Sequence, residues 1–431
     1  MLYSMVSLQF LLIIFYLIWA YNITKAQNLL RSIVFFIVMI YGFQLALACA
    51  DPYNYYPVSS LTIIMFNVQI ICILIGCAIG VNKGRFNKIL DKENIFNFKI
   101  TSFLLIVQTV VLALSVYRFR KVQSYIMFNL AADARDFYFS EMYSSYTEEF
   151  VVNFFDAFVY VSYFLAFSLL FFNKKKNGLK EYYIIISTFA IVILKTLTSM
   201  GRGVIFQLFI VFLLFFLYSY SYEKKIYKRK VRPVAIVLIG VVVVLIGSAT
   251  LARFNLEESD ILLDNLDEFL YKPFATYFYV PVCAFDYGKD HVFGSLVPMF
   301  GAADLAAPID LLLTPIRFFD QSIESINNTL GAKMSPQFFF PSGNKWNALF
   351  TGASNYYIDF GYLGFIIFPL LHGYILASVE IKSRHSGAWF VVLLFFFLAS
   401  FNHMKSSGIQ SLSTVFVSFW IYFVAKRKIL T

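Results

Sequence analysis

Residues 204–221 read VIFQLFIVFLLFFLYSYS, a stretch without one charged side chain. As an α-helix rising 1.5 Å per residue it would run about 27 Å, close to the thickness of bilayer hydrocarbon. In hydrocarbon every backbone N–H and C=O needs a partner inside its own segment, so such a run predicts a membrane-spanning helix. Comparable runs recur along the 431 residues. Hydrophobic residues make up 60% of the chain and charged residues 14%, and mean hydropathy is +0.71. A soluble domain is nearer half apolar and a quarter charged. The fold class read from this is all-α, a polytopic integral membrane protein. About eleven spans are predicted, at 5–21, 32–50, 60–80, 101–117, 151–172, 182–198, 204–221, 234–252, 354–378, 387–402 and 408–425.

The connecting segments alternate in charge. Lys25 and Arg31 lie on one side, with Lys83, Arg85, Lys88, Lys92 and Lys99. Lys174–Lys176, Lys180, the basic cluster at 224–232, Lys382, Arg384 and Lys426–Lys428 fall on the same side. The positive-inside rule makes this side cytoplasmic, with the N-terminus outside and the C-terminus in the cytoplasm. The net charge of +10 then follows from topology, and nucleic acid is not the partner it implies. The first run lacks a basic n-region and a clear small-residue cleavage site, so it reads as a retained span.

The layout predicted is an N-terminal bundle over 1–252 with about eight helices and an outer loop at 118–150. A large outer loop over 253–353 follows, then about three helices over 354–431. The large loop is too long for a bare connector. In LEESDILLDNLDEFLYKPF (256–274), Leu262, Leu263, Leu266, Phe269 and Leu270 recur at helical spacing with acids opposite. A second helix is predicted over 309–328. Both read as amphipathic helices on the outer surface or capping the bundle.

Basic residues stand on this outer side against the positive-inside bias. Arg118, Arg120, Lys121 and Arg135 fall in the first outer loop, Arg202 in the tight turn TSMGRGV, and Arg253 directly after the eighth span. Lys272, Arg317, Lys333, Lys345 and Lys405 lie on the same side. They point to an anionic ligand at the outer membrane surface, and arginine's planar fork suits phosphate oxygens. Lipid head groups or nearby acids are the plainer partners for any one of them. Lys195 differs, since it lies within an apolar helix where charge is costly and usually functional. Arg202 has glycines on both sides, which lets the backbone turn tightly.

His291 and His403 face outward and suit a general base, while His372 lies inside a span and His385 on the cytoplasmic side. Asp359 opens the ninth span, where it could orient a sugar or an arginine, or simply favour the helix dipole. The four cysteines show no CxxC or Cys/His spacing, so no metal or other cofactor is expected. A Cys49–Cys283 disulfide is geometrically open. Tyrosines cluster in DPYNYYP, DFYFSEMYSSY, TYFYV and NYY, as an interfacial belt or as sugar-stacking surfaces.

The chain resembles the O-antigen polymerase family, the oligosaccharide repeat-unit polymerases of bacterial surface polysaccharide synthesis. The likeness rests on the many spans, the turn TSMGRG (198–203) and a large late outer loop. Within that loop YKPFATYFYVPVCAFDYGKDHVFGSLVPMF (271–300), led by Tyr271, is similar to the family's tyrosine-led helix, aspartate and glycine. WNALFTGASNYYIDFGYLGFIIFPLLHGYI (346–375) is similar to its asparagine–threonine element followed by Asp-Phe-Gly-x-x-Gly. The resemblance implies a GT-C-like helical glycosyltransferase in the bacterial inner membrane, acting without a metal. Its partners would be donor and acceptor oligosaccharides on undecaprenyl pyrophosphate, surrounding lipids and a chain-length regulator protein. Catalytic roles are expected for Arg202, Arg253, His291 and Asp359, and substrate binding for Arg135, Lys195, Arg317, Tyr271, Asn347 and Thr351. Gly361 and Gly364 complete the motif. One family element departs: Arg135, Arg253 and Arg317 are followed, where a glycine is expected, by Tyr146, Asp264 and Asn328.

Three other functions compete. An O-antigen ligase would use the same chemistry on a lipid A core acceptor. A lipid-linked oligosaccharide flippase or other transporter would favour charged or discontinuous helices at mid-membrane, which the sequence does not suggest. A scaffold would leave the outer arginines unexplained.

Overall fold

The computed structural model of the chain describes residues 2–25, 27–84, 96, 100–127, 142, 146–173, 178–199, 203–236, 240, 272–320, 322–334, 338–346, 350–404 and 412–426. They are helical nearly throughout. Phe338–Phe339 pairs antiparallel with Lys345–Trp346. The main helices are α1 (Leu2–Ile23), α2 (Asn28–Ala50), α3 (Ser60–Gly84), α4 (Ser102–Met127), α5 (Tyr146–Asp156), α6 (Val159–Phe172), α7 (Leu179–Ser199) and α8 (Gly203–Tyr222). After them come α9 (Lys272–His291), α10 (Ala306–Phe319), α11 (Ile326–Met334), α12 (Ala353–Phe360), α13 (Gly364–Ser383), α14 (Gly387–Asn402) and α15 (Leu412–Lys426).

Among the described residues eight segments have the length and hydropathy of membrane spans: Met5–Ile23, Asn28–Ala50, Ser60–Asn82, Ser102–Ser124, Phe150–Phe172, Leu179–Ser199, Val204–Tyr222 and Ala353–Ser383. Gly387–Asn402 and Val415–Lys426 are shorter apolar helices. The chain is a helical, membrane-embedded protein. The predicted span at 234–252 lies almost wholly outside the described residues.

Among the described residues the helix boundaries differ from the sequence reading at several points. The fourth span ends not at 117 but runs on as α4 to Met127, so Arg118, Arg120 and Lys121 are helical. The predicted span 151–172 is interrupted between Asp156 and Val159. The helix expected over 309–328 is two helices, because Asp320 accepts the Ser322 amide and hydroxyl in a turn after α10. The stretch 256–271 lies outside the described residues, and α9 directly after it is buried core.

The chain divides into two compact units. One comprises Met1–Ile89, Tyr271–Ile381 and Phe396–Val415, the other Leu90–Leu270, Lys382–Phe395 and Phe416–Thr431. This cuts across the three consecutive stretches read from sequence, because α9 packs with α2 and α12. In the first unit Tyr279, Val280, Val282, Cys283, Ala284 and Phe285 of α9 are all fully buried. There α3 and α13 cross in close backbone contact: a Cβ added at Gly373 would come within 2.1 Å of the Ile73 carbonyl oxygen. In the second unit Gln108 of α4 donates to Ser187 and Thr188 of α7 and accepts from Ser162 of α6. These bonds tie three spans together where water is absent. In the same unit the rings of Phe96, Phe164, Phe172, Phe215 and Phe390 pack against one another.

Candidate functional site

Charges gather in the second unit at one level of three helices. Arg118 and Lys195 each lie sixteen residues into their spans, about 24 Å from the start of α4 and α7. Asp156 stands six residues into a segment whose break follows it directly. Arg118 Nη2 reaches Asp156 Oδ1 at 2.9 Å and Oδ2 at 2.8 Å. Lys195 Nζ reaches Asp156 Oδ2 at 3.1 Å. Two cations thus share one carboxylate, leaving the trio net positive, with the Arg118 side chain 3% exposed. The break after Asp156 matters locally: the helix restarts at Val159, so the carboxylate sits at a helix end beside its cations. One turn beyond Arg118, Lys121 Nζ binds Glu148 Oε1 at 2.6 Å and the Met142 carbonyl at 2.7 Å. Tyr117 donates to the same Glu148 oxygen at 3.0 Å. A surplus of positive charge among spanning helices is suited to holding a phosphate-like anion.

Sequence reasoning singled out Lys195 and grouped Arg118 with the outer loop. It passed over Asp156, although a carboxylate within VVNFFDAFVYV (151–161) carries the same signal as Lys195 in its own apolar run.

In the first unit the segment around Asp359 is a structural joint. The fully buried Asp359 carboxylate accepts the amides of Ala303 at 2.8 Å and Asp304 at 3.0 Å. The Met299 and Phe300 amides donate to the carbonyls of Ile358 and Asp359, which closes the C-terminal end of α12. Phe300 and Gly301 in the clamped loop both have positive φ. Asn355 donates to the Ala303 carbonyl at 3.1 Å. Thr351 accepts the Ala353 amide through its hydroxyl at the start of α12. Gly352 carries the His403 ring against its backbone, and its amide donates to the His403 carbonyl at 2.8 Å. Gly364 touches the Tyr356 backbone so closely that a Cβ would come within 2.0 Å of its carbonyl oxygen.

His291 ends α9 and is exposed, its ring 4.4 Å from that of Tyr287. Earlier in α9, the buried Asp286 accepts the Ser59 amide and hydroxyl, both at 2.7 Å, and also hydrogen bonds from Thr62 and Lys289. Burial by itself pushes the Asp286 carboxyl up, but the bonds from Lys289, Thr62 and Ser59 outweigh it and hold it below its ordinary value. This cluster fastens the start of α3 to α9. Cys49 and Cys283 are buried free thiols.

Arg135, Arg202, Arg253, Tyr271 and Asn347 lie outside the described residues. Arg317 stands on α10, and its side chain is likewise outside them. Of the ten residues expected at the site, Lys195, Thr351, Asp359 and His291 therefore have described side chains. Lys195 falls in the second unit, and His291, Thr351 and Asp359 in the first, with Thr351 and Asp359 at opposite ends of α12. Among the described residues no group of three or more His, Cys, Asp or Glu side chains could hold a metal ion. No family model, no curated protein and no solved structure matches the chain.

Proposed function

We propose that this protein is a glycosyltransferase that joins lipid-linked oligosaccharide repeat units, an O-antigen or surface polysaccharide polymerase of the bacterial inner membrane with its site on the periplasmic side. The observation that supports this reading is the net-positive trio of Arg118, Asp156 and Lys195 within apolar helices. In the reaction an acceptor sugar hydroxyl attacks the anomeric carbon of the donor chain. The bond from that carbon to the lipid pyrophosphate breaks, and the pyrophosphate leaves with the electron pair. Arg118 and Lys195, with Arg202, Arg253 and the outer Arg135, hold and neutralise the leaving group. An outer carboxylate or His291 takes the hydroxyl proton. Asp359 and Thr351 act by positioning α12 and the loop at 299–304.

A flippase is the second reading, and one observation favours it: the helix break at Asp156 beside buried charges, features expected of transporters. A ligase differs from the polymerase in its acceptor alone. One experiment separates the three. Deletion of the gene, read as a surface polysaccharide ladder, should leave single repeat units on the lipid core if the chain is a polymerase. Repeat units trapped inside the cell would favour the flippase, and loss of every core-attached sugar the ligase. Lys195→Met, Arg202→Ala and Arg253→Ala should each reproduce the deletion ladder at normal protein abundance. Normal ladders in all three would overturn the role given to these cations.

A further inference from the structure

We propose that α10, with Phe300 just ahead of it, lies in the plane of the membrane with its apolar stripe sunk among lipid acyl chains. The helix is inside out for an aqueous setting. Leu305, Leu312 and Ile316 recur on one face and are exposed, Leu312 by 75%. The opposite face holds Ala306, Ala307 and Asp310, all buried. The charge of Asp310 is used inside the protein, where its carboxylate accepts the Ser325 hydroxyl at 2.8 Å and the Ile326 amide at 2.9 Å, capping α11. Apolar side chains outward and carboxylate inward is the arrangement of a helix whose outer solvent is hydrocarbon.

Continuity with a spanning helix identifies that solvent. Phe300, itself 75% exposed, meets the Phe360 ring at 6.2 Å, and its amide donates to the Asp359 carbonyl. After Phe360 the chain passes through the turn 361–363 into α13, and Leu363, Ile366 and Ile367 are exposed. These belong to Ala353–Ser383, a segment of membrane-spanning length and hydropathy, and exposed apolar side chains on a span face lipid. The Asp359 joint thus carries an apolar surface from a span onto α10. The occupant is the acyl-chain region of one leaflet, reached to the shallow depth of an interfacial helix. This inference does not depend on the polymerase reading.

The test is a nitroxide at Leu312→Cys in vesicles of phosphatidylethanolamine and phosphatidylglycerol. The native cysteines Cys49, Cys72, Cys77 and Cys283 are buried, and unsubstituted protein gives the labelling background. Collision with oxygen, which concentrates in lipid, is compared with collision with a water-soluble nickel chelate. Ile316→Cys repeats the measurement should the first variant fold poorly, and the exposed Lys180→Cys serves as the water-facing reference. Oxygen collision should dominate at 312 and 316, with the chelate excluded. Free access of the chelate at both positions, as at 180, would overturn the proposal. Exclusion of both reagents would also overturn it, since a protein surface would then cover the stripe.

Discussion

Lys195 and Asp156 join two apolar helices by a single ion pair, Nζ to Oδ2 at 3.1 Å. Arg118 binds the same carboxylate from a third helix. Removing the carboxylate leaves two cations without it in a low-dielectric site, whereas removing one cation leaves a paired remainder. Asp156→Asn should therefore cost about 3 kcal/mol of stability, measured as a lower unfolding temperature in detergent. Adding Lys195→Met to that variant should restore part of the loss. A double variant no better than Asp156→Asn alone would mean that the trio is not coupled.

The crossing of α3 and α13 depends on the absence of side chains at its centre. A Cβ on Gly76 would come within 2.1 Å of the Leu370 carbonyl oxygen, and one on Gly373 equally close to that of Ile73. Backbone atoms cannot move aside as a flexible side-chain end can, so the helices must separate and lose packing that holds spans together in lipid. Gly373→Ala is expected to destabilise by about 1–3 kcal/mol. Gly294→Ala, where the added methyl meets open space, should leave the unfolding temperature within experimental error. Equal effects of the two would remove the packing argument.

These two relationships show what the sequence could carry. The apolar runs and Lys195 were legible because cost in hydrocarbon acts residue by residue. Arg118 was misplaced because hydropathy ends a span where charges begin, yet α4 continues to Met127 with those charges paired to Asp156 and Glu148. The core helix α9 was invisible to hydropathy, since Pro281, its tyrosines and Asp286 break an apolar window although the helix is buried. The role of Asp359 lies in a bond to Ala303, 56 residues away, and no local periodicity encodes such a pairing.

Asp286 should leave a signature in acid. Its folded carboxyl lies below the ordinary 3.8 because the bonds from Lys289, Thr62 and Ser59 outweigh the burial that would raise it. A depressed folded value lends stability above the unfolded value, and that stability is lost as pH falls through the folded one. The unfolding temperature of the native chain should therefore drop as pH is lowered below 3.8. Asp286→Asn should start lower at neutral pH and lose less over the same acid range. Parallel curves for the two proteins would show that this carboxyl does not contribute to the acid sensitivity.

Asp359 separates positioning from chemistry. Both of its carboxylate oxygens accept backbone amides of a loop whose Phe300 and Gly301 hold positive φ. Asp359→Asn keeps one acceptor oxygen, while Asp359→Ala keeps neither and leaves two buried amides unsatisfied. The alanine variant should cost about 2 kcal/mol or more and the asparagine variant about half that. Limited proteolysis within 299–305 should follow the same order. On the proposed reaction, both variants should reduce polymer through lower protein abundance, with the activity of each surviving molecule little changed. A folded, normally abundant Asp359→Asn protein that made no polymer would instead give this carboxylate a direct part in the chemistry.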